Sequence, residues 1–135
     1  MGREYREKQL AFLQRYGIPI TAEALDLIDE ALTHSSYAFE QQLSFNSERL
    51  EFLGDAVIGL LAAEHFFREH ERASEGELSK RKGRIVSRTV LGRRAREMGV
   101  AEIIRLGRGE ELSGGRQRAA LIADCLEALI GAIYL

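Results

Sequence analysis

The chain reads as an all-α fold, and three observations predict it. Apolar residues recur at helical rather than alternating spacing along most of its 135 residues. Helix-start signals such as Ser74-x-x-Glu77 and stop signals such as Gly17, Pro19 and Gly99 punctuate that pattern. No run alternates strictly enough to argue a strand. The length fits one domain with one core, at 45% hydrophobic and 30% charged residues.

Taken in order, Glu4 to Tyr16 predicts a first helix, carrying Tyr5, Leu10, Phe12 and Leu13 and ended by Gly17 and Pro19. Thr21 caps a second, with Ala24, Leu25, Leu27, Ile28 and Leu32. Ala38 to Asn46 is expected as a loop. A long helix follows from about Ser47 to His70. The capping box at Ser74 starts another that ends near Val86. Ser87 to Met98 forms the next, with Gly99 beyond its end. Gly107, Gly109, Gly114 and Gly115 mark a loop, and a last helix starts near Arg116 and is still running at Leu135.

The long helix carries an anomaly. Glu48, Glu51 and Asp55 share one face. That face continues into Gly59 and Ala62, flanked by Phe52 and Ile58. Leu50, Leu53, Val57, Leu60 and Leu61 lie opposite, so the helix is apolar nearly all round, as a central core helix is. In the last helix, the only charged residues after Arg118 are Asp124 and Glu127, again on one face that continues into Gly131. Glycine inside a helix costs about 1 kcal/mol against alanine. A close approach of the two helices at Gly59 and Gly131 would offset that cost and bring the acids together.

Four carboxylates gathered in an apolar setting must take up protons, pair with arginines such as Arg49 or Arg116, or bind a cation. With only oxygen ligands, the ion expected is Mg²⁺, with Mn²⁺ as substitute. Such an ion suits phosphoryl transfer, and four acids suit two ions better than one. No Glu-x-x-His occurs, which argues against a di-iron bundle.

The formal charge of −2 hides an asymmetry. Residues 1–75 hold seven Lys/Arg against fourteen Asp/Glu, and residues 76–118 hold twelve against five. Lys80, Arg81, Lys82, Arg84 and Arg88 are the densest basic cluster, suited to a polyanion or to plain solvation. Gly107-Arg108-Gly109 lacks the Lys-Ser/Thr of a phosphate-binding P-loop. Cys125 is the only cysteine, the charged N-terminus has no secretory signal, and no apolar run is long enough to span a membrane, so a cytoplasmic protein is expected.

The run Asn46-Ser47-Glu48-Arg49-Leu50-Glu51-Phe52-Leu53-Gly54-Asp55-Ala56-Val57 resembles the signature of the ribonuclease III family. Leu32 to Ser36, Glu75-Gly76 with Leu78-Ser79, Leu106 to Glu110, Ser113 to Gly115, and Ile122 to Ala132 resemble further family segments in the same order. The resemblance covers essentially the whole chain. It implies the helical endonuclease-domain fold and a homodimer whose two active sites face one double-stranded RNA. Each strand would be cut once, leaving 5′ phosphates, 3′ hydroxyls and short 3′ overhangs, as in RNA processing.

By position, the resemblance makes Glu51, Asp55, Asp124 and Glu127 the metal-binding catalytic acids, Glu48 and Glu75 accessory acids, and Phe52 the aromatic that enters the partner subunit. Glu48 and Glu75 equally suit helix N-termini electrostatically. The C-terminal double-stranded-RNA-binding domain usual in bacterial members has no counterpart here, and the apolar run reaching Leu135 suggests truncation before one. Two other functions compete: a non-catalytic RNA-binding relative, marked by loss of an acid, and a metal-dependent nucleotide hydrolase. His34 is expected to make structural hydrogen bonds, His65 and His70 to be surface or packing residues, and Cys125 to be a packing residue.

Overall fold

The computed structural model describes residues 2–135, and Met1 lies outside the described residues. Eight α-helices are found among them: α1 (Arg3–Arg15), α2 (Ala22–Ala31), α3 (Ser35–Gln41), α4 (Glu48–Glu69), α5 (Glu75–Ile85), α6 (Arg88–Met98), α7 (Arg108–Leu112) and α8 (Ala119–Tyr134). One-turn 3-10 helices cover Val100–Glu102 and Gly115–Gln117. No strand forms among the described residues. The single extended pairing is an isolated parallel bridge between Thr33 and Arg105.

The anticipated caps at Thr21 and Ser74 start their helices, and Ser87 caps α6 in the same way. Thr21 Oγ1 accepts from the Ala24 amide at 3.1 Å, Ser74 Oγ from Glu77 at 3.2 Å and Ser87 Oγ from Val90 at 3.3 Å. Gly99, at φ 89°, ends α6 in the left-handed conformation that glycine adopts without strain.

Helix α8 is the hub. It packs along α4, α6 and α2, and from Leu121 to Ala132 every residue but Asp124 and Ile130 is buried. Ile122 and Leu129 are among its fully buried side chains, each worth about 1.5–3 kcal/mol relative to exposure. Helix α1 closes the far side. Its Leu13 and Gln9 are fully buried, and the Gln9 amide donates to Asp29 Oδ1 of α2 at 2.6 Å. Arg105 pins the middle of the chain. Its guanidinium donates to Asp29 O and Thr33 Oγ1 and sits between the rings of Tyr5 and Tyr37.

Three expectations are corrected. The loop placed at Ala38 to Asn46 begins inside α3, a helix capped by the His34 ring, whose Nδ1 accepts from the Ser36 amide at 3.1 Å. The glycine-rich loop contains α7, whose start is held by Glu40, which accepts from the Arg108 and Gly109 amides, and the last helix begins at Ala119 rather than Arg116. Finally, α4 is not covered all round: Leu60, Leu61 and Phe67 are 68%, 57% and 71% exposed. It has two apolar faces, and this chain covers only one of them.

Candidate active site

The site is made by two backbones in contact. A Cβ placed on Gly54 of α4 would lie 1.6 Å from the Glu127 carbonyl oxygen, and one on Gly131 of α8 would lie 2.3 Å from that of Leu50. Only glycine permits this crossing. The expectation of Gly59 at the contact is thereby corrected: a Cβ there would meet nothing nearer than the tip of Lys82, at 3.7 Å. Gly54 lies on the stripe of Leu50 and Ile58 that faces α8, whereas the acid stripe runs along the edge of that contact.

On that edge the acids of the two helices pair across the crossing, Glu51 with Asp124 and Asp55 with Glu127. Glu127 is only 7% exposed and is the one charged residue in the buried interior among the described residues. Burial, then repulsion from Asp55, Asp124 and Glu51, pushes its carboxyl up to about 7. Glu51 is likewise pushed up to about 7 by burial, then by Asp124. Asp124 is raised by burial, against the lowering influence of Arg88. Glu51 and Glu127 therefore bind protons well above the ordinary carboxylate range.

The four acids line a cleft of about 590 Å³ together with Glu48, His34, Ser47, Phe52 and Arg88. Arg88, the first residue of α6, reaches to 3.1 Å from Asp124 Oδ1. Its N–H groups are not aimed along that line, so Oδ1 is buried with no hydrogen-bond partner. Neither arginine expected as a counter-charge serves the acids. Arg116 pairs with Glu111 and donates to the Ala101 and Ile104 carbonyls, and Arg49 lies outside the cleft.

Among the described residues, no three carboxylate, histidine or cysteine groups close into a ready-made ion cage. The donor set nevertheless fits a hard divalent cation: it is oxygen only, it repels itself, and it includes an unsatisfied buried oxygen.

Of the other anticipated residues, Glu48 lines the cleft and adds to the repulsion on Glu51. Glu75 is exposed at the start of α5, outside the cleft wall. Lys80, Arg81 and Arg84 are exposed, and with Lys82 they make no ion pair among the described residues. Phe52 is 82% exposed at the cleft lip. His34 makes structural hydrogen bonds, as expected, and also lines the cleft, which its spacing did not signal. The Cys125 thiol is buried against Ala31 and its pKa is raised by that burial, which suits packing.

The model of the Ribonuclease-III-like family matches residues 25–135. Ribonuclease 3 of Thermobifida fusca is 47% identical over 124 residues, covering 92% of this chain and 50% of that protein. For the enzyme of Leifsonia xyli subsp. xyli the figures are 48% over 125 residues, 93% and 52%. This chain thus spans about half the length of the curated relatives it matches. The nuclease domain of ribonuclease III from Campylobacter jejuni superimposes with a TM-score of 0.84 at 34% identity, covering 91% of this chain and 82% of that one. That structure is described as flexible in its region involved in dimer formation. No helix among the described residues is long and apolar enough to cross a membrane. Matched along most of its length in sequence and in helical architecture, the chain belongs to the ribonuclease III family and has the fold of its nuclease domain.

Proposed function

We propose that this chain is the catalytic domain of an endoribonuclease that hydrolyses phosphodiesters in double-stranded RNA, with Mg²⁺, or Mn²⁺ in its place, held by Glu51, Asp55, Asp124 and Glu127. The observation that carries this reading is the pair of carboxylate couples, one acid from each helix, lining one cleft at the glycine crossing. A cation held by these four acids would supply an activated water and offset charge on the phosphate and the leaving oxygen. The protein's part is to hold the acids rigidly. Their helices meet backbone to backbone, so the carboxylates have little freedom to drift apart. Water attacks phosphorus, the bond to the 3′ oxygen breaks, and that oxygen takes a proton. The products are a 5′ phosphate and a 3′ hydroxyl.

Substrate and partner follow from the surfaces beside the cleft. Lys80, Arg81, Lys82, Arg84 and Arg88 lie on α5 and the start of α6, and most of them are exposed. Duplex RNA is bound mainly through phosphates and 2′ hydroxyls, which call for charge more than base-reading geometry. The uncovered face of α4 continues onto α8 as an apolar groove lined by Leu53, Val57, Leu60, Leu61, Ile130 and Ile133. A second copy suits this groove, because a two-fold axis presents the same face to itself. The exposed Phe52 ring would then enter the partner's hollow beside Leu27 and Leu50. Two clefts on one duplex give a cut in each strand and short 3′ overhangs. The cytoplasm, where RNA is processed and Cys125 stays reduced, is the matching compartment.

The test is cleavage of duplex RNA, single-stranded RNA and duplex DNA, each with Mg²⁺ or chelator. The reading requires cutting of duplex RNA alone, and only with the cation. Equal cutting in chelator, or none with either Mg²⁺ or Mn²⁺, would overturn it.

A further inference from the structure

Arg88 is oddly placed for an ordinary surface arginine. It is the first residue of α6, where the helix dipole disfavours positive charge, and no acidic residue of that first turn compensates it. Its side chain is 61% exposed, yet its guanidinium turns inward to lie 3.1 Å from Asp124 Oδ1. That oxygen is the one carboxylate atom in the described structure that is buried without a hydrogen bond. The contact is therefore made by charge without alignment, which is a poor way to fix a side chain permanently. Arg88 is also the only lysine or arginine among the residues lining the cleft.

We propose that Arg88 is the built-in counter-ion of the cation site. Its guanidinium neutralises Asp124 while the site lacks a divalent ion, and the ion must displace it to bind. This rests on the assignment of the acid cluster as a cation site. Arg88 is then a positioning residue that sets how much divalent ion the site requires. A misaligned, half-exposed ion pair is easily given up, whereas one aligned and buried would lock the site shut. On displacement the guanidinium stays tethered at the cleft wall, freed of its carboxylate. Ion uptake thereby uncovers a positive charge where an anionic substrate would lie.

The test compares the full chain with its Arg88→Gln and Arg88→Lys variants, using Mg²⁺ and Mn²⁺ alone as probes, without RNA. Binding is read by calorimetry and by melting temperature across a titration. In chelator, Arg88→Gln should melt below the parent protein, because Asp124 loses its counter-charge. With Mg²⁺ its half-saturating concentration should fall roughly threefold, the scale of a half-exposed ion pair. Arg88→Lys, which keeps charge without the planar fork, should fall between the two and serves if the glutamine variant folds poorly. In an Asp124→Asn background, Arg88→Gln should lower the melting temperature in chelator by less than it does in the parent, because Arg88 then faces only Glu51. Equal or weaker Mg²⁺ affinity in a folded Arg88→Gln protein, with the parent binding normally, would overturn the counter-ion role alone. No binding of either ion by any of the proteins would overturn that role and the cation site together.

Discussion

The Gly54 Cα faces the Glu127 carbonyl so closely that a single added carbon would stand 1.6 Å from the oxygen. This contact, repeated between Gly131 and Leu50, turns two separate helical stripes into one wall of acids. Gly54→Ala should therefore cost at least about 2 kcal/mol, as the helices are forced apart, and disturb both acid pairs. Gly59→Ala, which meets only a flexible lysine tip, should be neutral or stabilising by up to about 1 kcal/mol. Denaturant melts of the two variants check this. Equal effects would mean that the crossing is not the critical contact.

Replacing Glu127 by glutamine keeps its shape and removes its charge. Glu127→Gln should reduce cleavage of duplex RNA to background while the fold persists. Above pH ~7, where Glu127 ionises, the variant should melt higher than the parent in chelator, because the repulsion from Asp55 and Asp124 is relieved. A variant with near-parental turnover would show that the catalytic assignment is wrong.

The acid wall also sets a pH dependence. Glu51 and Glu127 sit at about 7 in the fold against an ordinary value of 4.5. Between those values the folded state holds more protons than the unfolded one, so stability falls as pH rises through the window. Below it both states are protonated and the full contribution is present; above it the contribution is lost. In chelator, the melting temperature should decline across this range, and a Glu51→Gln/Glu127→Gln double variant should decline less. Mg²⁺ should offset the decline by binding the ionised acids. A double variant with the parent's slope would place the titration elsewhere.

Phe52→Ala should weaken self-association by roughly 2 kcal/mol, as loss of a buried aromatic anchor does. Sedimentation over a range of protein concentrations measures it. A parent protein that stays monomeric at high micromolar concentration, yet cuts both strands in one encounter, would refute the two-fold arrangement.

The elements that were legible in the sequence are those whose stability is local. Thr21, Ser74 and Ser87 are side-chain caps three residues from the amides they satisfy, and α4 and α8 are long enough for their pattern to be unmistakable. What escaped is held from a distance. Helix α7 has five residues and is started by Glu40, 68 residues earlier in the chain. Helix α3 is capped by a histidine ring and ends on Gln42 at φ 56°, neither a common signal. The four acids could be picked out because charge on an apolar stripe is an anomaly along one helix. The glycine that brings them together could not, since Gly54 and Gly59 differ only in which face they occupy once α8 is present. Nor can a sequence distinguish leucines covered by their own chain from those left bare, as Leu60 and Leu61 are.

The anchoring of α1 has a consequence in time. Tyr5 donates to the Ile103 carbonyl and stacks beside Arg105, and Tyr16 donates to Met98. During translation α1 leaves the ribosome before the segments that anchor it, which follow 98 residues after Tyr5 and 82 after Tyr16. At about 5–20 residues per second, the helix waits on the order of 5–20 s. It can lean on α2 through Gln9 and Asp29 in the meantime, but it cannot be locked down. A segment made before its anchors is thus secured late, and for those seconds Leu13, fully buried in the finished fold, lacks its complete cover.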